Sequence, residues 1–362
     1  MLERIPDDEP AQIANIVEFT RRQLRRRYGD GKRFLRGVHA KGHGCVEATF
    51  TVGSDLPARL RRGVFTEPGN TYDAVVRFSN ADVLVRADSI VGAAGAPPAH
   101  GSRGMALKLR QVAGPNLAGD RGEQDFLMIN QPVFAFANVE DYEVLSRVLN
   151  DNADDPTKFF AERLPKPGGG APTAAQQRAL ETFGIVQRIR AASLTATPGA
   201  FQAPPASPLD NDYFGAAPFL FGPDQVMRFR VRPEKRSNDD PNVADPNYLR
   251  KALADRLGVP GAGSILFSFE AQVRAADGID PERDIENASH GWGDDVPFER
   301  LATLTIQPQA VDADDLRERC ERTEFSPWHA LEDHRPLGGI NRLRRAVYDE
   351  SAAMRRLPNA QQ

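Results

Sequence analysis

Apolar residues along the chain follow two periods. Between residues 10 and 28, Ile13, Ile16, Val17 and Leu24 lie roughly on one face of a 3.6-residue period, and Gly29 ends the pattern. This predicts an amphipathic helix. From Cys45 to Leu109 the period shortens. CVEATFTV alternates, and VVRFS (75–79) and GMALKL (104–109) are compact apolar runs bounded by turn residues. GEQDFLMINQPVFAF (122–136) continues the theme, with Pro132 marking an edge or a strand end. Residues 139–162 and 173–192 predict helices, separated by the loop PKPGGGAP. The Pro-rich stretch 196–215 predicts an ordered surface connection. Strand signals return in QVMRFRVRP (225–233), SILFSFEAQVRA (264–275) and FERLATLTIQPQ (298–309), and a last helix is predicted from about Gly339 to Arg356.

The sequence between the first strands is rich in Gly, Asn and Asp, which favours antiparallel pairing over βαβ units. Strands resume after the helical stretch. One closed sheet with excursions therefore fits better than two separate domains. The organisation predicted is an N-terminal helix within 1–34 and one domain over 35–362, with a helical and Pro-rich excursion at about 139–215.

Composition narrows the function classes. The 362 residues suffice for a sizeable core. With 46 basic and 50 acidic side chains the net charge is −4, which disfavours nucleic acid as a partner. Nearly all the positive charge is arginine, the residue suited to planar contacts with carboxylates. The basic stretch RRQLRRRY reads as a solvated helix face. Cys45 and Cys320 make no disulfide framework or zinc-finger spacing. One lies on a strand and the other in a polar helix, so no bond between them is expected. No run of 18 apolar residues occurs, so no integral membrane segment is expected. The N-terminal MLERIPDDEP has no apolar core of a secretion signal, and a cytoplasmic protein is expected.

The chemistry-bearing residues are few. No GxGxxG opens a helix, and neither GxxxxGK[ST] nor GxSxG occurs. His39 and His43 are spaced i,i+4, but Gly42, Gly44 and the strand that follows argue against a helical metal pair. His39, between Val38 and Ala40, reads as partly buried. His290, His329 and His334 have no Asp or Glu at the spacing of a zinc site or facial triad. In the last helix Arg344 and Tyr348 share a face at i,i+4. A guanidinium beside a phenol favours the phenolate, an anionic ligand suited to ferric iron. The same pair equally describes a surface tyrosine with an arginine stacked on it.

Six segments, in order, resemble the haem catalase superfamily. RGVHAKGHG (36–44) is similar to the distal R-x-x-H-A-K-G, and VVRFSN (75–80) to the V-R-F-S strand. GSRGMALKL resembles D-x-R-G-F-A-x-K-F, and FLMINQPVF (126–134) the segment with N-x-P-x-F. EFSPWHAL (324–331) is similar to the proximal F-S-P turn, and NRLRRAVYDESAAMR (341–355) to R-x-x-x-Y with a further Arg seven residues on.

The resemblance implies an α+β fold: a catalase-like antiparallel β-barrel with helical insertions and a C-terminal proximal helix. It implies haem b (iron protoporphyrin IX) as cofactor. Tyr348 would be the phenolate ligand of the haem iron, with Arg344 holding it deprotonated. His39 would stand over the distal face, Ser79 would fix its tautomer, and Asn130 would share the distal pocket. Arg36, Arg77 and Arg355 would pair with the haem propionates. Phe126, Phe134 or Tyr142 would pack against the porphyrin. The implied activity is peroxide decomposition, by a catalase or a small catalase-like peroxidase. The alternatives are conversion of organic or fatty-acid hydroperoxides in the manner of allene oxide synthases, and a non-catalytic haem-binding protein.

Three departures from the family pattern matter. About 35 residues precede the distal motif, so the family's wrapped tetramer is not expected, while a homodimer is allowed. Gly101 stands where the family has an Asp lining its channel, which widens the expected access and favours a larger hydroperoxide. The histidines that normally follow the proximal Tyr are replaced by Glu350 to Met354.

Overall fold

The structure is a computed structural model that describes residues 2–29, 32–89, 101–119, 121–191, 204–259 and 261–356. Its elements run α1 (Glu9–Tyr28), β1 (Gly42–Val52), β2 (Thr71–Asn80), β3 (Arg103–Arg110), β4 (Glu123–Ile129), α2 (Val139–Asp151), α3 (Thr157–Arg163) and α4 (Ala174–Ala191). They continue with β5 (Tyr213–Phe214), β6 (Phe219–Leu220), β7 (Gln225–Pro233), α5 (Tyr248–Gly258), β8 (Ile265–Ala275), β9 (Glu299–Ile306), α6 (Asp314–Arg322) and α7 (Gly339–Arg356).

All pairings are antiparallel, in the order β5-β4-β3-β2-β1-β9-β8-β7-β6. The free edge of β7 is shared. β6 pairs with Val226 and Met227, while β5 pairs with Arg230 and Val231. Because β5 also bridges to β4 through Phe214 and Ile129, eight strands close into a barrel and no long edge is left open. The two-residue β5 and β6 and the helix α5 carry too short or too weak a period to stand out in the sequence.

Side chains alternate across each strand. Val46, Phe50, Val76, Phe78, Met105, Leu107, Phe126, Phe229 and Phe269 fill the barrel. The abundant phenylalanine is spent here: Phe269 lies 4.9 Å from Phe126 and 5.4 Å from Phe229, ring centre to centre. Each such side chain contributes roughly 1.5–3 kcal/mol by burial. Phe126 therefore belongs to the barrel interior, which corrects its expected place against a porphyrin.

The opposite faces of β2, β3 and β4 are covered too, which is why β2 reads as a continuous apolar run rather than an alternating one. That second layer is helical. α1, α2 and α7 meet at Ile16, Val139 and Leu343. Arg342 holds Glu9, Glu3 and Glu286 together at the starts of α1 and α7. The basic stretch of α1 is a latch. Arg21 pairs with Glu350 at 2.8 Å, Arg22 with Glu18, and Arg26 and Arg27 with Asp154. No helix of the described residues is long and apolar enough to cross a membrane.

Two further expectations are corrected. The helix expected over 139–162 is two, because the chain turns at Ala153 and Asp154, both with positive φ, and restarts after Pro156. More important, Cys45 and Cys320 are joined by a disulfide. α6 folds back onto β1 and brings their Cα atoms to 5.4 Å, a proximity that a sequence separation of 275 conceals. Residues 192 and 196–203, within the predicted helix end and Pro-rich connection, lie outside the described residues.

Candidate functional site

A cavity of about 300 Å³ lies between the outer face of β2–β4 and the helical layer. The strands contribute Arg77, Ser79, Ala106, Leu127 and Ile129. α1 contributes Ile16, Thr20, Gln23, Leu24 and Arg27, and α2 contributes Tyr142, Leu145 and Leu149. The loop before β1 supplies Arg36, Gly37, Val38 and His39, and α7 supplies Arg344, Tyr348, Ser351 and Arg355. Seven of the eight residues singled out in the sequence thus line one space. Asn130 is not among the lining residues: its Oδ1 accepts the Arg103 N–H at 2.7 Å and its Nδ2 faces Asn211.

His39 sits in the left-handed region at φ 59°, a conformation that costs a non-glycine residue about 1–3 kcal/mol. Neighbours hold it there. Arg77 Nη2 donates to the His39 carbonyl at 3.0 Å, and the next residue's N–H donates to Asp82 O. The imidazole Nδ1 lies 3.0 Å from Ser79 Oγ. Burial pushes the imidazole down to about 3, and the positive charges of Arg77, Arg344 and Arg36 add to the shift, so the ring is neutral near pH 7.

Tyr348 reaches the cavity from α7. Arg344 lies against it, with the guanidinium carbon 5.6 Å from the Tyr348 ring centre and 5.5 Å from that of Phe134. Arg344 is steered by Asn341, whose Oδ1 accepts from its Nη1 at 3.0 Å. The F-S-P turn braces the same helix, since Trp328 Nε1 donates to Asn341 O at 2.7 Å and Phe325 lines the cavity. The two sides meet where Gly37 N–H donates to Ser351 Oγ at 3.1 Å.

Three arginines converge on Glu321 at the cavity edge, two on its carboxylate and one on its backbone carbonyl. Arg36 and Arg77 both pair with Glu321, at 2.5 and 3.3 Å. Arg36 also donates to the carbonyls of Cys320 and Thr323, and Arg355 to that of Glu321. Burial raises the Glu321 carboxyl, but Arg77 and Arg36 outweigh it and the net shift is downward. Arg36 is driven well below its usual range by burial and by Arg77 beside it, and Arg355 is lowered chiefly by burial. Nε of Arg77 and of Arg355 are buried and unpaired. Arg36 and Arg77 share the Glu321 carboxylate and Arg355 meets its backbone carbonyl, so the guanidiniums outnumber the carboxylate they converge on. Propionates would balance this excess, so the residues fit haem.

Sequence reasoning missed Glu321 and the cavity-facing role of α1. The apolar stripe of α1 was readable, but what it covers was not. A separate cluster, Glu123, Asp125 and His329, has metal-ligand composition. Lys108 sits inside it, with Nζ 2.6 Å from Glu123, 2.8 Å from Asp125 and 3.4 Å from His329 Nδ1. The ammonium takes the place a cation would occupy, and the cluster reads as an ion-pair network.

No family model and no curated protein matches this chain. Among solved structures, a bacterial catalase aligns with TM-score 0.56 at 16% identity over 89% of this chain, and a fungal catalase with 0.59 at 15% over 90%. Catalase A from Saccharomyces cerevisiae aligns with 0.60 at 14% over 90%. The chain spans 57%, 60% and 62% of the length of these three. What is shared at such low identity is architecture, and on that ground this chain has the catalase fold.

Proposed function

We propose that the cavity binds haem b and that the protein decomposes peroxides, as a catalase or a small catalase-like peroxidase. The observation that carries this reading is the convergence of His39, Tyr348 and the three arginines Arg36, Arg77 and Arg355, from distant parts of the chain, on one cavity. Tyr348 would ligate the iron as a phenolate, and the charge of Arg344 against its ring suits an anionic ligand. Arg36, Arg77 and Arg355 would hold the propionates. When bound, haem supplies the ferric centre at which a peroxide O–O bond is cleaved.

The protein's part is proton traffic. With Nδ1–H donated to Ser79 Oγ, the neutral His39 presents the Nε2 lone pair to the cavity. That nitrogen takes the proton from the near peroxide oxygen and returns it to the far one, so that water or an alcohol leaves. Asn130 Oδ1 accepts the backbone N–H of Arg103, the residue next to the Gly104 that packs against His39. A second reading, an organic hydroperoxide as substrate, draws on the apolar wall of Ile16, Leu24, Leu145 and Leu149. The cytoplasm, the location expected from the sequence, would set the Cys45–Cys320 bond against a reducing thiol pool.

The test is the visible spectrum of the purified ferric protein beside that of Tyr348→Phe. A high-spin phenolate-type spectrum, altered in the variant, is expected; an unchanged spectrum removes Tyr348 as ligand. Oxygen evolution with hydrogen peroxide selects catalase activity, and consumption of an organic hydroperoxide alone selects the second reading. Haem bound with neither reaction leaves a non-catalytic binder.

A further inference from the structure

α6 is a poor helix to dock on its own. Its sequence DDLRERCER is polar, and Cys320 is its one buried residue. Leu316 is only half-buried. What fastens α6 to the barrel is therefore polar and covalent: the bond from Cys320 to Cys45 on β1, the ion pairs of Arg319 with Glu47, Glu318 with Arg33 and Glu321 with Arg36 and Arg77, and arginine hydrogen bonds to its last carbonyls. The C-terminal turn of this helix carries Glu321 and the carbonyls of Cys320, Glu321 and Thr323, which are the acceptors that order Arg36, Arg77 and Arg355. Cys45 is partly exposed, and a small cleft lined by Cys45, Glu47, Arg110, Leu316, Arg319 and Cys320 opens beside the bond. A thiol reductant can approach from there without entering the barrel.

We propose, resting on the haem reading above, that the Cys45–Cys320 disulfide is the positioning element of the arginine clamp and makes retention of a two-carboxylate ligand redox-dependent. A dithiol reductant delivers two electrons and two protons. The S–S bond breaks, Cys45 and Cys320 become thiols, and the reductant closes to its own disulfide. α6 then loses its covalent tie. Glu321 and the three carbonyls leave the guanidiniums, whose mutual repulsion is no longer offset in place. The barrel interior and Tyr348 itself make none of the contacts that are lost, so the loss falls on the carboxylate end of the ligand.

The test compares oxidised and dithiol-reduced holoprotein by the rate at which haem transfers to an excess of an apo-globin. The same rate is read with haem dimethyl ester, which lacks the carboxylates. Reduction is expected to speed loss of haem by about tenfold or more, equal to about 1.4 kcal/mol, and to leave loss of the diester unchanged. Glu321→Gln in the oxidised protein is expected to shift haem loss in the same direction. Equal acceleration for both ligands, or none for either, overturns the proposal. If neither oxidation state binds haem, the haem reading fails, and hydrogen exchange across 314–324 decides the positioning claim alone. Faster exchange after reduction supports it, and unchanged exchange overturns it. Cys45→Ser with Cys320→Ser serves as a check only where it yields folded protein.

Discussion

Gly104 and His39 are closer than a methyl group allows: a Cβ on Gly104 would fall 2.3 Å from Nδ1 and 2.4 Å from Cε1 of the imidazole. Gly104 pairs across the sheet with Ser79, the residue that meets His39 Nδ1, so the ring lies over both strands. The glycine is there for space, not for backbone freedom. Gly104→Ala is expected to push the ring off Ser79. Overpacking of this kind costs about 1–3 kcal/mol. Loss of a positioned acid–base group lowers turnover by about 10²–10⁴-fold. Haem retention is expected to persist, since no clamp residue is touched. Peroxide kcat/KM beside Tm measures both, and wild-type turnover in the variant would sink the assignment of His39.

Ser79→Ala separates orientation from chemistry. The hydroxyl is buried and its partner is His39 Nδ1. Removing it frees the ring to adopt the other tautomer, with a proton on the nitrogen that faces the cavity. Turnover is expected to fall less than in a variant that lacks the imidazole, by about tenfold, the scale of roughly 1.4 kcal/mol of a lost net hydrogen bond. His39→Ala is the reference. If Ser79→Ala and His39→Ala are equally inactive, Ser79 does more than hold the ring.

Three histidines are kept neutral by burial. His43 is pushed down to about 3, His334 to about 4 and His39 to about 3, burial being the first cause in each. Their folded values lie below the unfolded 6.5. The unfolded chain therefore takes up protons first as pH falls. Stability from these groups is present above about pH 6.5 and is lost between there and the folded values. His43 and His334 are almost fully buried, and each is expected to contribute about 1.4 kcal/mol per pH unit in that window. Urea midpoints at pH 7, 6 and 5 test this, with His43→Gln and His334→Gln each expected to flatten the slope. The peroxide kcat/KM should show no inflection near 6.5, because His39 stays neutral through it; an inflection there would show that the ring is more solvated than its surroundings imply.

The barrel strands and the last helix were legible because their periods are strong: QVMRFRVRP alternates, and Gly339 to Arg356 keeps one buried face. The distal and proximal segments were legible because His39, Ser79, Arg344 and Tyr348 sit in short contiguous motifs. What escaped depends on contacts between distant segments. Cys45 and Cys320 look unrelated until α6 folds back on β1. Glu321 looks like one more charge in a polar helix until three arginines surround it. Asn130 follows a matching motif, yet its amide is held by Arg103 and Asn211 rather than turned into the cavity. A motif fixes residue types and spacing, whereas the rotamer is fixed by neighbours that the motif does not contain.

Lys108 provides the last prediction. It is buried, and its ammonium is shared by Glu123, Asp125 and His329. Asp125 Oδ2 in turn accepts the Ser326 N–H at 2.9 Å, which fixes the turn that carries Phe325 to the cavity. Removing the cation by Lys108→Met leaves a buried carboxylate without its partner, at a cost of about 3–5 kcal/mol. Tm is expected to drop sharply and haem to dissociate faster, since the turn that supports α7 loosens with it. Because an ammonium already fills this cluster, chelator treatment of the wild type is expected to leave Tm unchanged. A wild type that loses stability on chelation, or a Lys108→Met variant as stable as its parent, would mean that a metal ion rather than Lys108 balances these carboxylates.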